Sequence, residues 1–237
     1  MRLDKLLANM GFGSRKEVKK LLKEGAIKVN GVPVKDAKQH VEPSQEEVTV
    51  YDDKIEYKEF IYLLMNKPQG VISATEDTMH ETVVDLLELD DAVFNPFPVG
   101  RLDKDTEGLL LLTNDGQLSH HLLAPKKHVP KKYYATIQGI VTEEDIVAFR
   151  NGVTLDDGYH TKPGELTILQ SGEQSEIELI ITEGKFHQVK RMFESVDKKV
   201  IFLKRLEMGP LGLGDLEVGE YRELTDEEVE MLKNYKV

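Results

Sequence analysis

G-R-L-D-K-D-T-E-G-L-L-L-L-T-N, running from Gly100 to Asn114, sets a charged loop directly against an aliphatic run. Leu109 to Leu112 read as a buried strand, because four consecutive leucines offer water no polar face. Arg101, Asp103, Asp105 and Glu107 crowd the residues before it, with Gly108 between the last acid and the first leucine. A carboxylate in such a loop is held at the lip of a packed core, where its charge and geometry can be controlled. Asp103 is therefore the candidate nucleophile or base. The plainer alternative is a turn aspartate paired with Arg101 or Lys104, which composition alone favours. A glycoside-hydrolase reading would pair Asp103 with Asp105 or Glu107 and needs two carboxyls roughly 5–9 Å apart.

The 237 residues suffice for one large or two small domains. With no cysteine, disulfides and thiolate–metal sites are excluded, and a reducing cytoplasm is the expected location. No apolar stretch approaches the ~18–20 residues of a membrane span. The seven histidines are scattered and form no metal-ligand cluster. The net charge of −12 argues against a uniformly nucleic-acid-binding surface. Yet residues 1–40 carry ten Lys and Arg against four acids, and residues 185–205 carry seven against two. Separated basic patches on an acidic chain point to a defined anionic track.

Leu3, Leu6, Leu7 and Met10 share one helical face that ends at Gly11. Ser14-Arg15-Lys16-Glu17 is a capping box opening a second helix. That helix turns Val18, Leu21 and Leu22 inward and shows Arg15, Lys16, Lys19, Lys20 and Lys23 outward, with few acids interleaved to neutralise them. Ile27-Lys28-Val29, Asn30-Gly31 and the returning Val32 and Val34 describe a hairpin. Residues 1–50 are one expected domain, the charged stretch 51–60 a linker and residues 61–237 a second domain. There we expect strands at 61–65, 133–140, 166–169, 177–181 and 200–203, and helices at 81–89, 116–123, 143 onward, 186–196 and after Thr225. Without regular strand–helix alternation this is an α+β arrangement with a mixed, mostly antiparallel sheet flanked by helices and loops.

The first 48 residues resemble an S4 (α-L type) RNA-binding domain, through the two helices, the basic second helix and the V-N-G hairpin. The 100–114 stretch resembles the catalytic motif of the RNA pseudouridine synthases, in the RsuA/RluB branch. Three more motifs match in order: Asn66-Lys67-Pro68-Gln69-Gly70, then Lys132-Tyr133-Tyr134 as K-x-Y, then Glu183-Gly184-Lys185-Phe186-His187-Gln188-Val189-Lys190-Arg191-Met192.

The resemblance implies a cofactor-free and metal-free isomerase that detaches a uracil from its ribose, rotates it and rejoins it through carbon. It implies that Asp103 is the nucleophile, Tyr134 stacks on the uracil and acts as a late base, and Lys190 pairs with Asp103. Arg101 would help displace the base. Lys67, His187 and Arg191 would shape the site or contact RNA, and the basic face of the second helix would grip rRNA. The start M-R-L-D-K-L-L-A-N-M-G, the L-D-K-D-T form of the motif and Ala124-Pro125-Lys126-Lys127-His128 lean toward a small-subunit (16S) rRNA target, partly assembled, modified by a monomer. A large-subunit synthase and a non-catalytic S4-type assembly protein are the alternatives.

Overall fold

Leu109–Leu112 do form a buried strand: in the computed structural model, which describes residues 1–235, all four leucines are shielded from water. The chain divides into two units, one made of residues 1–61 and 87–96, the other of residues 62–86 and 97 onward.

In the first unit, α1 (Leu3–Asn9) and α2 (Arg15–Glu24) accompany an antiparallel sheet of order β2-β1-β3-β4, with β1 at Ile27–Val29, β2 at Val32–Pro33, β3 at Val48–Val50 and β4 at Asp53–Lys54. The Ser14 hydroxyl accepts from the Glu17 N–H while the Glu17 carboxylate accepts from the Ser14 N–H, so the capping box closes as its spacing predicts. Leu3, Leu6, Leu7, Val18, Leu22 and Ile27 meet in one core. A short α3 (Leu89–Ala92) clusters with this unit.

Two expectations are corrected here. Residues 51–60 are not simply a linker: Asp53–Lys54 pair with β3, and Ile55 and Tyr57 pack against the core of the first unit. Residues 81–89 are not a helix. The Ile72 N–H donates to the Glu81 carbonyl and the Ile72 carbonyl accepts from the Val83 N–H, so extended pairing takes the groups a helix would use. Thr82 and Asp85 then close a local turn through reciprocal bonds.

The second unit is built on one sheet of order β13-β5-β7-β11-β8-β10-β9. Its strands are β5 (Tyr62–Lys67), β7 (Glu107–Thr113), β8 (Lys131–Gln138), β9 (Glu165–Gln170), β10 (Gln174–Ile181), β11 (Lys199–Met208) and β13 (Tyr221–Glu223). The short β6 (Phe97–Pro98) adds to β7, and β12 (Leu211–Gly212) to β11. The pairings are antiparallel except that of β7 with β11. On one face Leu109 and Leu111 pack with Leu118 and Leu122 of α4 (Gly116–Leu123) and with Val229 and Leu232 of α7 (Asp226–Lys233). Burying a leucine contributes about 2 kcal/mol, so this one strand is a large fraction of the stability of a domain. Elsewhere Phe149 of α5 (Glu143–Asn151) meets Phe193 of α6 (Gln188–Glu194) edge-on at 4.9 Å.

The β7–β11 seam explains Gly108. It lies opposite Arg205 at φ +108°, and a Cβ there would come within 2.2 Å of the Arg205 carbonyl oxygen and 2.6 Å of its nitrogen. Both strands are fixed by their other neighbours, so neither can retreat. Gly108→Ala should cost about 3 kcal/mol or more, from strained backbone plus overpacking. Urea unfolding monitored by circular dichroism would measure it, and a loss under about 1 kcal/mol would show the seam can open.

Candidate active site

The loop that carries Asp103 is clamped before it reaches β7. The Ser73 hydroxyl donates to the Leu102 carbonyl at 2.9 Å and accepts from the Leu102 N–H at 3.0 Å. The Gly70 N–H donates to the Lys104 carbonyl at 2.8 Å. The conformation of the N-K-P-Q-G segment thus decides where Asp103 stands.

Lys190, in the first turn of α6, meets it there. Its Nζ donates to Asp103 Oδ2 at 2.9 Å and to Asp105 Oδ1 at 2.7 Å. Partial burial works against the charged lysine, but the bonds to Asp105 and Asp103 outweigh it and raise its pKa above the ordinary value. Asp105 is held below the usual carboxylate range, burial being outweighed by Lys190. Asp103 and Asp105 share one ammonium, which counts against a carboxyl pair set on opposite sides of a sugar. His187 Nε2 lies 3.6 Å from the other oxygen of Asp103, and its ring stacks on Phe186 at 3.7 Å.

The E-G-K-F-H-Q segment owes its shape to one buried amide. The Gln188 side chain donates to Glu183 Oε1 at 2.7 Å and accepts from the Lys185 N–H at 2.8 Å. Glu183 in turn accepts from the Tyr159 hydroxyl and the Lys162 N–H. This stitching presents Lys190 to Asp103.

Asp103 and Lys190 stand on a cavity of about 190 Å³, with Arg101 exposed on its wall and Leu203, Tyr133 and Arg205 among its lining. Here the structure corrects the assignment of the tyrosine. Along β8 the side chains alternate: Tyr133 is buried and lines the cavity, while Tyr134 faces the other way, edge-on to Phe202 at 6.1 Å. The run Lys131-Lys132-Tyr133-Tyr134 satisfies K-x-Y in two registers, and a slip of one residue exchanges the faces. The register that fits the cavity is Lys131-x-Tyr133.

Lys67 is no RNA contact. It is wholly buried, with Nζ donating to the carbonyls of Pro68 (2.9 Å) and Thr106 (3.0 Å). Burial pushes it down to about 8, against the opposing pull of Asp103, Asp105 and Glu107. Lys131, also on the cavity, is pushed to about 8 by burial and by the charge of Arg205. Arg191 is engaged by Asp156 and, at 2.7 Å, by Asp157, so it is not an open cation. On the first unit Lys16, Lys19, Lys20 and Lys23 line a concavity together with Lys35 and Lys38, which the helix-face reading overlooked; Arg15 is exposed but does not line it. Among the described residues no three His, Asp or Glu side chains converge as metal ligands, and no helix is long and apolar enough to cross a membrane.

Residues 61–195 match the RNA pseudouridylate synthase family and residues 1–47 the S4 domain. The chain is 57% identical to an uncharacterized RNA pseudouridine synthase of Bacillus subtilis (strain 168), over 98% of each sequence. It is 40% identical to the ribosomal large subunit pseudouridine synthase B of the same organism, over 98% of this chain and 95% of the relative. It is 39% identical to the ribosomal small subunit pseudouridine synthase A of Haemophilus influenzae, over 98% and 99%. A solved structure described as a pseudouridylate synthase superposes with a TM-score of 0.68 at 36% identity, covering 98% of this chain and 99% of that one.

The buried lysine has a consequence for stability. Lys67 loses its proton near pH 8 when folded, whereas the unfolded chain holds it to about 10.5. The cost of burying the cation is therefore present below pH 8 and relieved as pH rises from about 8 to 10.5. Between pH 7.5 and 10 the unfolding free energy of Lys67→Met should climb less steeply than that of the wild type, read from urea midpoints. Parallel curves would mean that Lys67 stays charged throughout.

Proposed function

The chain belongs to the RNA pseudouridine synthase family, and from that premise we propose that it converts one uridine of small-subunit (16S) ribosomal RNA, partly assembled, to pseudouridine. The observation that carries the mechanism is the Asp103–Lys190 pair at 2.9 Å on the rim of a cavity. A carboxylate aimed by a cation is a ready nucleophile.

The target uridine leaves its helix, at a cost of a few kcal/mol that loops and bulges reduce, and its base enters the cavity against Tyr133. Asp103 acts on the nucleotide, at the sugar or at the base. The C1′–N1 bond breaks with its electron pair remaining on the uracil. The ring turns, C5 bonds to C1′, the proton of C5 is released and N1 takes one up. Atoms and electrons balance without a co-reactant. Arg101, on the cavity wall, would fill the stack the base leaves. The lysine-lined concavity of the first unit follows phosphates and shape rather than sequence.

The small-subunit target rests on the opening M-R-L-D-K-L-L-A-N-M-G, the L-D-K-D-T motif and residues 124–128. Large-subunit rRNA is the second reading, since the chain is about as similar to the Bacillus large-subunit enzyme (40%) as to the Haemophilus small-subunit enzyme (39%).

Incubating the protein with unmodified small-subunit rRNA carrying early assembly proteins, then mapping by carbodiimide-stop primer extension, should show one new stop. Asp103→Asn should abolish it and leave RNA binding intact. A stop on large-subunit RNA alone would overturn the target, and tight binding with no stop on either RNA would favour a non-catalytic assembly role. In single-turnover assays Tyr133→Leu should slow conversion about 10- to 100-fold, the worth of one base–aromatic stack. Tyr134→Leu should stay within about threefold; the reverse ranking would refute the register chosen above.

A further inference from the structure

Arg205 is the most anomalous group in the second unit. Its side chain sits in the middle of the sheet, 2% exposed, among Leu203, Met208 and Tyr133 on the cavity wall. Its Nε donates to the Leu109 carbonyl at 2.8 Å, but its Nη2 is buried and finds no acceptor among the described residues. A buried donor left unbonded costs about 1–3 kcal/mol, and more when charged. The fold bears that cost beside the cavity. The position is fixed from both sides: Gly108 admits the Arg205 backbone at the seam, and Tyr133 stands directly across from it on β8.

Building on the uridine-isomerase reading above, we propose that Arg205 receives the detached base: its free guanidinium N–H donates to a carbonyl oxygen of the target uracil and stabilises the negative charge on the ring while it is separated from ribose. An RNA phosphate is the weaker candidate partner. The backbone continues on both sides of every phosphate, whereas a base is a side group that can enter a cavity of about 190 Å³ alone. The chemistry also calls for a cation there. When C1′–N1 breaks, the bonding pair spreads over N1 and the two carbonyl oxygens, and an immobile donor already stripped of water stabilises that charge without reorganising. The contact strengthens as the bond breaks, so it belongs in the rate of the bound complex more than in RNA affinity.

The test compares wild type, Arg205→Gln and Arg205→Lys on an rRNA fragment the wild type converts, measuring the single-turnover rate at saturating RNA and the RNA Kd separately. Conversion by the wild type secures the parent reading first; if it fails, that reading fails and not this one. Arg205→Gln should lower the rate about 100-fold or more with Kd within about threefold, and Arg205→Lys should recover part of the loss. An unchanged rate, or Kd rising in step with the loss, would overturn the proposal. If circular dichroism finds Arg205→Gln unfolded, wild-type enzyme on RNA with 2-thiouridine or 4-thiouridine at the target decides. Sulfur accepts hydrogen bonds poorly, so one of the two should react about tenfold more slowly, and equal rates with both and with uridine would overturn it.

Discussion

Two residue pairs hold the catalytic sheet together. Lys204 beside Glu107 and Arg205 beside Gly108 form the parallel register between β7 and β11, and among the described residues no other strand pairing joins the β13-β5-β7 half to the β11-β8-β10-β9 half. The leucines of β7 anchor one side of the seam in a core closed by α4 and α7. The other side carries Tyr133 and Arg205 on neighbouring strands. The cavity lies across the join, so Asp103 from the loop before β7 and the cavity-facing residues of β8 and β11 reach one point only because a glycine lets two backbones approach.

Around the seam the electrostatics follow burial. Cations predominate at the cavity: Lys190 is neutralised by two aspartates, Lys131 is pushed toward losing its proton, and Arg205 has a donor to spare. Such a set suits a ligand whose negative charge appears only during reaction, as well as the permanently charged strand that delivers it. The acidic excess of the chain as a whole, −12, leaves these local fields intact because it is carried elsewhere.

Much of this was legible in the residues wherever the signal was local. Four leucines require a buried strand, Ser14 with Glu17 requires a helix start, and the helix expected at 116–123 forms as α4, capped by Asp115 on the Gln117 and Leu118 N–H groups. The Asp103–Lys190 pair came from motif order, since no spacing rule joins residues 87 apart. What failed was non-local. Residues 81–89 carry a helical pattern, but Ile72 takes the Glu81 carbonyl and the Val83 N–H. The choice between Tyr133 and Tyr134 is a question of strand register, invisible when both neighbours satisfy the same motif. Arg205 looks like one more surface cation of a basic stretch until the neighbouring strands close over it.

Lys190 holding two carboxylates has one further consequence. Any step in which Asp103 bonds to carbon or takes a proton removes the negative charge from one side of the lysine. With a single partner, that would leave a half-buried cation abruptly uncompensated, and the energy of the intermediate would rise accordingly. Asp105, 2.7 Å from the same nitrogen, is still there. It works as a standing counter-ion, so a change of charge on Asp103 leaves the lysine beside it with its proton and its place.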